Sequence, residues 1–184
     1  MKDAEILLEG KTLIYPTDTV WGIGCDARNI QAIEKIKRIK GRGEDKSFIL
    51  LMRDRAMLEC YFDNIPHGAS ELAERMKKEN IPATILYPNC KNLPLSHLSF
   101  NEYVGVRLVD TEYMQNLFNF FPYPIVSSSA NFSGQKSPGN FAEIDKDFLK
   151  LADYVSMAQR DDNQVRKPSS VFIVSTNGEI KQLR

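Results

Sequence analysis

Three cysteines and two histidines are all that this 184-residue chain offers a disulfide or a soft metal. Cys25, Cys60 and Cys90 lie far apart with no C-x-x-C pair, and His67 and His97 share no ligand spacing with them. A disulfide scaffold and a structural zinc site are therefore disfavoured, and all five residues are assigned packing or surface roles. The single tryptophan, Trp21, is likewise read as a packing residue. Charge of one sign is also missing, because Lys plus Arg number 24 and so do Asp plus Glu. A balanced chain has no overall field to capture nucleic acid, so any basic site must be local. No apolar run approaches the ~20 residues that span a bilayer, and the N-terminal MKDAEILLEGK has neither an apolar core nor a cleavage site. A cytoplasmic protein with no membrane contact is expected, in which the sequon Asn131-Phe132-Ser133 is not glycosylated.

What is present is an ordinary globular mixture, 42% hydrophobic and 26% charged. A chain of this length buries roughly two-thirds of its unfolded surface, and no linker divides it, so residues 1–184 are expected to form one domain. Short β-rich runs recur at 12–15, 47–52, 83–87, 103–109, 124–128, 154–157, 170–175 and 180–183. Helical period appears between them, which makes the class α/β. In NIQAIEKIKRIK, Ile30, Ile33, Ile36 and Ile39 form an apolar stripe, with Lys35, Lys37, Arg38 and Lys40 expected to face elsewhere. Further helices are expected at 67–78, at 112–121, ended by Pro122, and at 140–151, opened by Asn140 and Glu143 in capping-box spacing. Residues 160–168 read as a polar loop of the kind that closes over a site.

Four stretches carry candidate chemistry. In IYPTDTVWGIGCDA, residues 14–27, Pro16 ends a strand and Thr17, Asp18 and Thr19 precede an aromatic and two glycines. Those oxygens serve either a turn or a ligand. KGRGEDKS, residues 40–47, resembles a phosphate loop, but Asp45 stands where glycine must precede the lysine, and the segment follows a helix instead of opening one. The phosphate-loop reading is rejected, leaving Lys40, Arg42 and Lys46 as a solvated basic turn or an anion site beyond a helix C-terminus. PIVSSSANFSGQKSPGN, residues 124–140, runs a strand into a loop crowded with hydroxyls, suited to anionic oxygens or to satisfying its own backbone. Arg107 alternates with Val104, Val106 and Leu108, so it faces either solvent or a cleft where its fork suits a carboxylate.

Together, YPTDTVWGIGCDA, KGR, VGVRL, SSSANFSGQKSP and KPSSVFIV, in this order and across nearly the whole chain, resemble the YrdC/YciO family, whose synthases make threonylcarbamoyl-adenylate for tRNA modification. The resemblance implies a single YrdC-like domain with a twisted, mixed parallel and antiparallel sheet, flanking helices and a concave basic cleft. That cleft would take ATP, L-threonine and bicarbonate. Matched position by position, Thr17 would contact the threonine, Arg107 its carboxylate, and Ser127 and Ser169 would lie beside it. Lys40 and Arg42 would hold the triphosphate and carry the catalytic charge, while Ser129, Asn131, Ser137 and Arg184 would bind the nucleotide.

In that reaction a threonine carbamate attacks the α-phosphorus and pyrophosphate leaves, so positioning and charge stabilisation suffice. No catalytic triad is required. ATP is a substrate, Mg2+ comes on its phosphates, no protein metal site or permanent cofactor is implied, and the adenylate passes to downstream tRNA-modifying proteins. The stretch ENIPAT keeps Pro82 and Thr84 but lacks the aromatic and glycine of the family's usual turn, and SFILLMRDRAMLECY is closer to the YciO branch. KGR and SSSAN favour the synthase branch. The chain stops at Arg184 without the extra domain of longer members, so any gating is expected from its own loops. The alternative is a noncatalytic YciO-like module that binds nucleotide or RNA, double-stranded RNA included, through the same face.

Overall fold

The computed structural model describes residues 1–41, 48–79, 81–99, 102–175 and 177–184. The first half of the chain holds α1 (Lys2–Leu8), β1 (Leu13–Tyr15), β2 (Gly22–Asp26), α2 (Ile30–Lys40), β3 (Ile49–Met52), α3 (Arg55–Tyr61), α4 (His67–Lys78) and β4 (Ala83–Tyr87). The second half holds α5 (Leu95–Leu98), β5 (Val104–Leu108), α6 (Glu112–Phe120), β6 (Ile125–Ser129), a 3-10 turn at Phe141–Glu143, α7 (Lys146–Leu149), β7 (Tyr154–Val155), β8 (Ser170–Val174) and β9 (Ile180–Gln182).

Among the described residues nine strands form one sheet in the order β7-β1-β2-β6-β3-β5-β4-β8-β9. It is mixed: β1 with β7, β3 with β5 and β4 with β8 run parallel, and the other neighbours are antiparallel. Since successive side chains alternate between faces, the register defines rows across the sheet. One row runs Cys25, Val126, Leu50, Val106, Ile85, Phe172, all buried on the face that carries helices α2, α3 and α4. The adjoining row, on the opposite face, runs Gly24, Ser127, Ile49, Gly105, Leu86, Ile173. Small residues at β2, β6 and β5 leave that face hollow.

Local signals set several boundaries. The Asn29 side chain accepts from the Ala32 N–H at the start of α2, and Gly41 ends that helix with φ 58°, a left-handed turn glycine adopts without strain. Asp54 and Thr111 cap α3 and α6 in the same way. The isoleucine stripe of α2 needs correction. A spacing of three falls short of the 3.6-residue turn, so the stripe drifts around the helix. Ile33 and Ile36 are buried, Ile30 is 49% exposed, and the buried face closes on Lys40, at 4% exposure.

The expected helix at 140–151 is two pieces. Asn140 does accept from the Glu143 N–H, but the Glu143 carboxylate accepts from Gly139, and Asp145 starts a second cap at α7. Strand β2 and helices α1, α3 and α5 were not anticipated. Gly22 and Gly24 read as loop residues, and three short helices lie below the length at which periodicity is visible.

Candidate functional site

The hollow face forms a cleft of about 360 Å³. Thr17, Arg107, Ser127, Ser129, Ser137, Ser169 and Arg184 line it, together with Thr19, Gly22, Ile49, Thr84 and Val171. Six positions expected from four separate motifs, and Arg184 from outside them, thus meet in one place. Its described lining includes two arginines and no carboxylate.

Arg107 is 4% exposed, which decides against a solvent-facing strand arginine. Its Nη1 donates to Thr19 Oγ1 at 2.7 Å, and its Nη2 forms an ion pair with Asp18 Oδ1 at 3.2 Å that falls short of hydrogen-bond alignment. Its Nε has no partner among the described residues. A buried guanidinium with an unmet donor is costly in isolation, and this one borders the cleft, where an anionic group would offset its charge.

The loop that brings Asp18 and Thr19 to Arg107 is a tight hydroxyl turn. Thr17 Oγ1 donates to the Val20 carbonyl at 2.8 Å and receives the Thr19 N–H at 3.0 Å, while the two threonine hydroxyls meet at 3.0 Å. The turn role is therefore satisfied. The Thr17 hydroxyl is occupied within it, and its methyl carbon is what approaches Gly22. Asp18 and Thr19 belong to the oxygen-bearing stretch expected to serve a turn or a ligand, and only the fold reveals that Arg107, 88 residues away from Thr19, is their partner.

On the opposite wall, Thr84 Oγ1 and Ser169 Oγ are 2.8 Å apart and both buried. Arg184 Nε donates to the Ser169 carbonyl at 3.2 Å. Pro82 of the altered ENIPAT turn accepts the Ser170 N–H at 2.9 Å, so the turn still delivers Thr84 to the cleft.

Two expected nucleotide residues sit elsewhere. Lys40 does not line the cleft; its Nζ donates to the carbonyls of Ser129 at 2.5 Å and Asn131 at 2.7 Å, beneath the end of β6. Asn131 is buried, with Nδ2 donating to the Phe132 and Gln135 carbonyls and Oδ1 without a partner among the described residues. The physical reason is the same for both. The chain leaving β6 exposes carbonyls that need donors, and the last turn of α2 lies against it. Arg42 and Lys46 lie outside the described residues.

Of the polar stretch at 160–168, Pro168 lines the cleft and the rest packs on the turn at Gly139 and Asn140. Arg166 N–H donates to the Gly139 carbonyl, Asn140 Nδ2 donates to the Asn163 carbonyl, and a Cβ at Gly139 would lie 2.7 Å from Val165. Trp21 packs on Phe141 at 5.0 Å and His97 bonds Glu34, consistent with the packing roles assigned to them. Burial pushes the Cys25 thiol well above its ordinary range and that of Cys90 up to about 11, so neither is a ready thiolate. No group of three metal-ligating side chains occurs among the described residues, and none of their helices is long and apolar enough to cross a membrane.

Comparison with known proteins gives this cleft its context. A threonylcarbamoyl-AMP synthase of Pseudoalteromonas translucida is 31% identical over 148 residues, 80% of this chain and 79% of that protein. One of Vibrio vulnificus is 34% identical over 129 residues, 70% of this chain and 69% of that protein. Among solved structures, P. abyssi Sua5 complexed with L-threonine superposes with a TM-score of 0.83 at 27% identity, covering 98% of this chain but only 52% of that one. E. coli YciO superposes with a TM-score of 0.79 at 25% identity, covering 100% of this chain and 86% of that one. The family model for Sua5, YciO and YrdC, described as telomere recombination, matches residues 5–184, and this chain belongs to that family.

Proposed function

We propose that this chain is a threonylcarbamoyl-AMP synthase, a nucleotidyltransferase that converts L-threonine, bicarbonate and ATP into threonylcarbamoyl-AMP and pyrophosphate. The observation that carries this reading is Arg107, buried at the cleft floor with an unpartnered Nε. Its guanidinium holds the threonine carboxylate, and Thr19 and Asp18 hold the guanidinium. The likeness to curated synthases and to a threonine-bound Sua5 supports the same assignment.

The threonine ammonium gives up a proton to solvent, and the free amine then adds to bicarbonate with loss of water, giving a carbamate. A carbamate oxygen then forms a bond to the α-phosphorus as the bond to pyrophosphate breaks. The residues here orient and stabilise; no side chain is required to form a covalent intermediate. Ser127, Ser169 and Thr84 surround the amino acid, and Ser129, Ser137 and Arg184 face the nucleotide. Lys40 acts on that half through the Ser129 and Asn131 carbonyls, positioning the turn between them. The described lining offers no carboxylate cage for magnesium, so the ion that screens the phosphates relies on phosphate oxygens and water.

Pyrophosphate release measured with L-threonine, with L-serine and without amino acid tests the reading. Release that requires threonine is expected, and Arg107→Ala should lower it about 100-fold, the scale of a lost bidentate charge contact in a buried site. A folded protein that binds ATP yet releases nothing would instead support a YciO-like binding module, with RNA affinity against salt as its next test.

A further inference from the structure

Tyr15 has no part in the reading above, yet it is fully buried at the cleft's edge. It stands opposite Gly22 on β2, and its ring lies over Gly24, where a Cβ would come within 2.9 Å of the phenol oxygen. Because β2 is bare there, the phenol crosses an entire strand to reach β6. Its hydroxyl donates to Ser127 Oγ at 2.8 Å.

A serine hydroxyl has one proton to give and lone pairs to receive. Tyr15 fills the receiving side of Ser127, and among the described residues no other group bonds that oxygen. Ser127 lines the cleft, so its own proton is left for whatever occupies the cleft. Thr17 and Thr19 differ on this point, since their hydroxyls are bonded to each other and to the turn. Burial also raises the pKa of Tyr15 far above the ordinary phenol range, which keeps the phenol a donor throughout the working pH range.

We propose that Tyr15 is a positioning residue that fixes Ser127 as a hydrogen-bond donor aimed at an anionic oxygen of the amino-acid substrate. This rests on the synthase reading, and it adds the reason that two glycines follow the YPTDT turn. They leave a channel on the sheet face through which a strand-edge phenol controls a hydroxyl two strands away. Without the phenol, Ser127 turns freely among staggered rotamers and its preorganisation is lost.

The test is a cycle of four proteins: wild type, Tyr15→Phe, Ser127→Ala and the double variant, assayed for pyrophosphate release against L-threonine and against ATP. Tyr15→Phe should raise the KM for threonine about tenfold, the size of one hydrogen bond to a charged group, and leave the KM for ATP within about twofold. Ser127→Ala, which keeps the ring in place, should cost a similar factor, and adding Tyr15→Phe to it should cost nothing more. An unchanged threonine KM in Tyr15→Phe, or an equal penalty with and without Ser127, overturns the proposal while leaving the synthase reading intact. A wild-type protein without threonine-dependent release sinks the synthase reading first, and this proposal with it.

Discussion

The row Cys25, Val126, Leu50, Val106, Ile85, Phe172 and its neighbour Gly24, Ser127, Ile49, Gly105, Leu86, Ile173 belong to the same strands, one residue apart. The first buries apolar volume beneath helices and contributes stability through area removed from water. The second contributes by what it omits, because glycines and serines leave room for a ligand. Alternation in a strand separates the two tasks, so each can change with little effect on the other.

Breaking the first row should cost the most. Leu50→Ala, at a fully buried site, is expected to lower unfolding free energy by about 2–5 kcal/mol, read by urea titration. Threonine KM per folded molecule should not move. A threonine KM that rose in proportion would dissolve the distinction between the faces.

Filling the second row comes next. A Cβ at Gly24 would stand 2.3 Å from the Val126 carbonyl and 2.9 Å from the Tyr15 ring. Gly24→Ala should therefore destabilise by about 3 kcal/mol, the upper part of the range for overpacking, and also raise threonine KM by displacing the phenol. This variant is expected to damage both properties, and a purely structural loss would show that Tyr15 does not reach the ligand through Ser127.

Phenols are buried on both faces, which sharpens the comparison through pH. Burial raises the values of Tyr15 and Tyr87, and of Tyr113 beside Asp3, above the ordinary range. An unfolded tyrosine loses its proton near pH 10, so stability should be fully present below that and fall as pH rises through the raised folded-state values. Each such group adds a slope of about 1.4 kcal/mol per pH unit. Melting between pH 9 and 11.5 should reveal the fall, and Tyr15→Phe and Tyr87→Phe should each flatten it equally. An unaltered slope in Tyr15→Phe would mean that its phenol is hydrated.

The smallest effect is expected at Thr84. Thr84→Val keeps the shape but removes the bond to Ser169, and should cost about 1 kcal/mol of stability with a twofold to fivefold rise in threonine KM. Equal kinetics to wild type would assign the pair to wall structure only.

Strong periodic segments were legible in advance. The strand at Ala83–Tyr87 and the helix at His67–Lys78 fall where patterning sets them, because their signals are local and undisturbed. β2 was not legible. Its Gly22 and Gly24 have weak strand preference, and the chain holds extended there through pairing with β1 and β6. Lys40 was misplaced for a related reason: charge argues for solvent, and only the carbonyls of Ser129 and Asn131, far along the chain, account for its burial.

By itself the sequence determined the α/β class, the helix of NIQAIEKIKRIK, and the motifs whose joint order pointed to the family. Those rest on propensities and spacings that act over a few residues. Tertiary structure alone decided which hydroxyls are spent and which face the cleft. Thr17 turns inward to Val20, Ser127 receives Tyr15 across a bare strand, and Arg107 is left with an unmet Nε. A hydroxyl's free proton depends on every partner within hydrogen-bond reach, and for Ser127 that partner, Tyr15, stands 112 positions away in the chain.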